Sequence, residues 1–130
     1  MYKNFNRRLM HIISFFILLL IIPCAHSDPN KTSFAELQKA ADQGNARAQY
    51  YLGMSYGTGD GFIQDSTKSA EWYKKDADQG YAGAQLLLGW YYATGNGVTK
   101  DSTKSAEWYQ KAADQGNVDA QSALKRLYSQ

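Results

Sequence analysis

Residues 45–80 and 81–116 align without a gap at a spacing of 36, and 23 of those 36 positions are identical. Self-similarity at such a period confines the chain to a repeat architecture, because one short unit has too little apolar surface to bury alone and must stack on a neighbour. The run from Asp65 to Tyr73 recurs unchanged as Asp101 to Tyr109. Ala41-Asp42-Gln43-Gly44 returns at Ala77–Gly80 and at Ala113–Gly116, so the register extends outward in both directions. The array is then a leading half-unit over 33–44, two full units, and a trailing half-unit over 117–130.

Each unit reads as two helices. The first, from Asn45 to about Tyr56, places Ala48, Tyr51, Leu52, Ser55 and Tyr56 on one face at 100° per residue, with Asn45 as N-cap. Gly57-Thr58-Gly59-Asp60-Gly61 is too rich in glycine to continue it. The second helix begins near Asp65, another N-cap residue, and aligns Ala70, Tyr73 and Ala77 before Gly80 ends it. In the leading half-unit, Ser33 followed by Glu36 has the spacing of a capping box, and residues 28–32, with Pro29 and Asn30, read as a flexible leader. The sum is an all-α chain of about six helices with no strand candidate.

The first 27 residues differ in kind from the rest. Lys3, Arg7 and Arg8 form a positive leader, Leu9 to Ile22 is an almost wholly apolar run of 14 residues, and Ala25-His26-Ser27 follows. That run is shorter than the roughly 20 residues a membrane span needs. It predicts a secretory signal peptide over 1–27 cleaved before Asp28, with release to a periplasmic or extracellular space. Lipidation at Cys24 fits poorly, because Pro23 stands where a small residue is expected. Removing the segment takes away both histidines and the one cysteine and leaves 11 cations against 12 anions. Disulfides, thiol chemistry, a histidine triad and a nitrogen–sulfur zinc site are thereby excluded. A nearly neutral chain without a basic run also lacks the footprint of a nucleic-acid binder, and neither cofactor nor membrane is expected as a partner of the processed chain.

Ala48-Gln49-x-x-Leu52-Gly53-x-x-Tyr56, Gly59-x-Gly61, Asp65-x-x-Lys68 and Trp72-Tyr73-x-Lys75 together resemble the Sel-like repeat, a relative of the tetratricopeptide repeat. The second copy matches at Ala84-Gln85, Leu88-Gly89, Tyr92, Gly95-x-Gly97-Val98, Asp101-x-x-Lys104, Trp108-Tyr109 and Lys111-Ala112-Ala113. The resemblance covers residues 33–128 and implies a short right-handed αα-solenoid that presents surfaces to other proteins, as an adaptor or regulator. It also implies two narrower alternatives. Some small exported members look like inhibitors or immunity partners of an exported toxin. A cysteine-rich branch is credited with hydrolysis of cell-wall or β-lactam substrates, but its cysteine pair in each repeat is missing here.

Differences between equivalent positions locate the ends of the array. Trp72 and Trp108 fall off the stripe of their helix, and the leading half-unit, which has no predecessor, carries Glu36 at the equivalent place. Each Trp is therefore expected to pack backward onto the preceding unit. Gly53 and Gly89 become Lys125 in the trailing half-unit, where no following helix needs close approach. Both ends read as polar caps.

Chemistry finds little support. No strand precedes the glycine-rich loop and no Lys-Ser/Thr pair follows it, so a turn is favoured over a phosphate cradle. Asp60 and Asp65 lack the ordered spacing of a calcium loop, and Asn96 replaces Asp60 in the second copy. Glu71 and Glu107, the repeated carboxylates, lie near lysines as on a solvated helix face, and no catalytic residue is assigned. A different signal lies opposite the core stripe of each first helix, which the tetratricopeptide analogy places in a concave groove. Arg47, Tyr50 and Met54 occupy it in the first unit, Gly83, Leu86 and Trp90 in the second, and Asp119, Ser122 and Arg126 in the trailing half. Exposed apolar clusters of this kind mark interaction sites, although Leu86 and Met54 fit packing between units equally well. Tyr81 stands where Asn45 and Asn117 provide N-caps, giving up about 1 kcal/mol. Arg47, Tyr50, Met54, Tyr81, Leu86, Trp90 and Arg126 are the candidate protein-binding residues.

Overall fold

In the computed structural model of the chain, which describes residues 29–60 and 63–129, the turn residues and helix caps read from the sequence delimit six helices. They are α1 (Pro29–Asp42), α2 (Ala46–Thr58), α3 (Ser66–Asp78), α4 (Ala82–Thr94), α5 (Ser102–Asp114) and α6 (Val118–Tyr128), with no strand among the described residues. Residues 1–27, read from the sequence as a signal peptide, lie outside them.

Caps set the boundaries. Asn45, Asp65, Asp101 and Asn117 each accept a bond from the backbone N–H three residues on, at 2.9–3.0 Å. These satisfy amide groups that a helix start leaves open. α2 and α4 close on Gly59 and Gly95, both left-handed at φ 74°, a conformation costly for any residue with a β-carbon. At the leading end the helix starts earlier than the capping box implied. α1 begins at Pro29, so the expected flexible leader 28–32 is helical from its second residue and Ser33 lies within the helix. Proline suits a first helical position, having no N–H to leave unpaired and a φ already set for the helix.

The helices form antiparallel neighbours in series, α2 on α3, α3 on α4, α4 on α5 and α5 on α6. Trp72 is buried with Ala41 of α1 and Ala48 and Leu52 of α2, and Trp108 packs against Ala77, Ala84 and Leu88. Each indole thus reaches back to the last helix of the preceding unit, as the Glu36 comparison predicts, while also packing on the first helix of its own. The outer face of each ring carries a lysine, Lys75 at 3.7 Å and Lys111 at 3.9 Å from the ring centroid. A cation over an indole face is attracted by the ring quadrupole. Tyr51 departs from expectation. It was placed on the core stripe, but it is 38% exposed, while Gln49 and Gly53 are buried with Ala48 and Leu52. The buried arc of α2 is rotated toward Gly53 because the ring of Tyr73 in α3 rests on that glycine.

Polar bonds repeat with the sequence. Gln49 Nε2 donates to the Ala41 carbonyl at 3.0 Å and Gln85 Nε2 to the Ala77 carbonyl at 3.2 Å. Gln79 Nε2 donates to Gln49 Oε1 and Gln115 Nε2 to Gln85 Oε1, both at 2.8 Å. Gln79 and Gln115 also reach the Gly44 and Gly80 carbonyls, tying each turn between units to its equivalent 36 residues on. Buried amides are tolerated in such a core only when paired in this way.

Candidate functional site

Two clefts lie along the helices that carry the candidate residues. The first, of 520 Å³, opens between α2, the end of α3 and the start of α4 and is lined by Arg47, Tyr50, Tyr51, Asp76 and Tyr81. Its tyrosines are held edge-on to one another. The Tyr50 ring lies 6.1 Å from Tyr51 and 5.6 Å from Tyr73, and the Arg47 guanidinium sits 5.7 Å from the Tyr51 centroid. The second cleft, of 340 Å³, brings Trp90 of α4 beside Tyr109 of α5 and Arg126 of α6. Trp90 is 46% exposed, with its ring 5.3 Å from Tyr91.

The candidate residues thus divide into groups. Arg47, Tyr50 and Tyr81 meet in the first cleft, and Trp90 and Arg126 in the second. Tyr50 is half-buried and packs on the core through Tyr73, so one side of its ring is structural. Leu86 is half-buried against the cluster of Tyr109, Ala120, Ala123 and Leu124, which places it between units. Met54 is 40% exposed and lines neither cleft. Tyr81 occupies the N-cap position of α4 with no side-chain cap bond and is 55% exposed.

Sequence reasoning missed Asp76. Its side chain is 2% exposed, and its Oδ1 has no hydrogen-bond partner. Burial pushes its carboxyl up from the usual 3.8 to about 6, because the charged form is deprived of water. The signal lay in the repeat itself, where the equivalent positions are Ala40 and Ala112. Tyr51, assigned to the core by the helical wheel, is the other cleft residue that was not anticipated.

The same burial pushes the Tyr73 phenol well above the usual phenol range, with Tyr91, Tyr50 and Asp76 adding to the effect. Burial thus penalises the charged form of both acids. Among the described residues no group of three or more His, Cys, Asp or Glu side chains is placed to hold a metal ion, and no helix is long and apolar enough to cross a membrane.

The fold has clear relatives. The chain superposes with a TM-score of 0.69 on a protective antigen from uropathogenic Escherichia coli strains that displays an SLR fold, at 40% identity over 71% of this chain. It spans only 20% of that antigen. A Sel1 repeat protein from Oxalobacter formigenes is 41% identical with a TM-score of 0.66, covering 74% of this chain and 72% of its own. Cysteine rich protein B of Helicobacter pylori, at 23% identity, shares the fold with a TM-score of 0.68 over 94% of this chain and 96% of its own. No curated protein matches the sequence. The Sel1 repeat model matches residues 37–45, 46–81 and 82–117, and with the helix pairs, backward-packed tryptophans and glycine contacts described above it shows that the chain belongs to the Sel1 repeat family, whose members are protein–protein interaction modules and generally not enzymes.

Proposed function

We propose that this chain is an exported adaptor or regulator that holds a segment of another protein along the face formed by α2, α4 and α6. The observation that carries the reading is the exposure of Tyr81 and Trp90, which line two clefts, one at the start of α4 and one toward its end. Large aromatic side chains left in water beside concave surface are the usual anchors of an interface. Export rests on the positive leader, the short apolar run and Ala25-His26-Ser27.

The test has two parts. Intact mass of the protein recovered from the producing cell's envelope should begin at Asp28, and a full-length or lipid-modified mass would overturn export. A photo-crosslinking residue at position 90 should capture one protein band from envelope extract, and Tyr81→Ala should weaken that capture with the melting temperature unchanged. Capture that is indifferent to Tyr81, or equal from a crosslinker at exposed Glu71, would overturn the face assignment.

A further inference from the structure

Asp76 is a carboxylate kept where the fold uses alanine. At the equivalent places in the neighbouring units, Ala40 and Ala112 fill the space between helices without a polar atom. Burying a carboxylate without a partner is costly, so its presence calls for a cation or a hydrogen-bond donor. None of the nearby cations reaches it. Lys75 lies 3.7 Å above the Trp72 ring, Lys74 Nζ pairs with Asp78 at 2.7 Å, and the Arg47 guanidinium is stacked on Tyr51 at the rim. The first turn of α4 lines the same cleft, yet none of its amide groups donates to the carboxylate, and Oδ1 has no partner. Around it stand Tyr50 and Tyr51 from α2 and Tyr81 from the start of α4.

A deep carboxylate beneath aromatic walls is the arrangement that recognises an alkylammonium group, since ring faces and carboxylate both favour a cation removed from water. We propose that the cleft over Asp76 is a receptor for a lysine side chain of the bound protein segment, whose ammonium pairs with the Asp76 carboxylate as the cleft opens to admit it, Oδ1 being closed to solvent in the unbound chain. The proposal rests on the reading of this face as protein-binding. Lysine fits better than arginine because the floor offers one orphan acceptor. An ammonium is a compact charge on a flexible apolar stem, whereas a guanidinium brings five donors in a fixed fork and would leave most of them facing rings. The charged and titratable groups that face Asp76 are Arg47, Tyr50 and Tyr51 from α2, Tyr73 on its own helix, and Tyr81. Of these only Arg47 is cationic, and with its guanidinium on Tyr51 it leaves the carboxylate to the ligand.

The experiment uses the full chain, isotopically labelled, titrated with the blocked peptide Gly-Leu-Lys-Leu-Gly and with its norleucine and Nε-acetyl-lysine counterparts. The lysine peptide should bind at least about tenfold more tightly than either counterpart. It should shift the resonances of Asp76, Tyr50 and Tyr81 and lower the pKa of the Asp76 carboxyl. Asp76→Asn should abolish the preference, and Glu107→Ala, at an exposed position that lines neither cleft, should leave it intact. Equal binding of the three peptides, shifts remote from Asp76, or a carboxyl pKa that the lysine peptide does not move would overturn the proposal. Should Asp76→Asn fail to fold, the carboxyl titration of the unaltered chain still decides the matter. Loss of the position-90 crosslink with the lysine preference retained would count against the wider face alone.

Discussion

The ring of Tyr109 lies so close to Gly89 that a β-carbon at that position would sit 2.5 Å from Cδ1 of the ring. Gly53 and Tyr73 repeat the relationship at 2.8 Å in the preceding unit. Both rings are buried, so neither has room to swing away. Gly89→Ala should therefore destabilise the chain by about 1–3 kcal/mol through overpacking. Lys125→Ala, at the equivalent exposed place in α6, should change stability by less than about 0.5 kcal/mol. Urea denaturation of the two variants checks the order, and equal losses would show that the helices can separate to admit a methyl group.

Backward packing of the indoles makes a second contrast between equivalent positions. Trp72 is buried among α1 and α2 residues, and removing it should cost about 3–5 kcal/mol, a large share of the stability of a small domain. Glu36→Ala should cost about 1 kcal/mol or less. Chemical denaturation midpoints at constant m-value give the comparison.

Ser69 and Ser105 do unequal work. Ser69 Oγ donates to the Gly53 carbonyl at 2.6 Å and lies 2.7 Å from the Tyr91 hydroxyl, which must then be the donor between the two hydroxyls. Ser105 Oγ donates to the Gly89 carbonyl at 2.8 Å, and the position equivalent to Tyr91 is held by the aliphatic Leu127. Ser69→Ala leaves the buried Tyr91 hydroxyl without its acceptor and should cost about 1 kcal/mol more than Ser105→Ala, within a range of about 1–3 kcal/mol for an orphaned buried group. A Ser69→Ala/Tyr91→Phe double variant should recover part of that loss in thermal melts.

Asp76 gives the chain a pH dependence of defined sign. Its carboxyl titrates near 6 in the folded chain, above its ordinary 3.8, so the folded state binds the extra proton. Its contribution to stability is therefore fully present below about pH 4 and is lost as pH rises through about 6. At pH 7 the charged group costs about 3 kcal/mol, and Asp76→Ala should be the more stable protein. The advantage should shrink steadily between pH 7 and pH 4. Melting curves of both proteins across that interval check it, and an Asp76→Ala variant that is less stable at pH 7 would show the carboxylate to be a structural charge for the start of α4.

The fold was legible because periodicity encodes it twice, in the helical stripe and in the 36-residue spacing. Even the off-stripe tryptophans were placed correctly once Glu36 was set beside them. What escaped was the rotation of each helix about its axis. Tyr51 satisfies the helical wheel, but a wheel has no knowledge that Tyr73 will occupy the groove over Gly53 and turn the buried arc away. The candidate face was legible in part. Exposed Trp90 and uncapped Tyr81 follow from comparison of copies, whereas Leu86 has the same character in sequence and packs between units. Asp76 escaped because charge on a helix suggests solvent by default. Only the alanines at 40 and 112 marked it as a residue in a space built for a methyl group.

The glutamine ladder gives the array a direction and leaves its length open. Gln79 ties its own turn to the one 36 residues earlier, and Gln115 does the same to Gln79's turn, so each cassette brings the donor for its predecessor and the acceptor for its successor. The junction between the two full cassettes follows this pattern, and the polar endings at Glu36 and Lys125 are carried outside them. A gene segment duplicated in frame at the Gly80–Tyr81 junction would arrive with its hydrogen bonds already matched on both sides. A lineage built on such units can lengthen its binding face in one genetic event, and then diversify it by single departures from the shared pattern of the kind seen at position 76.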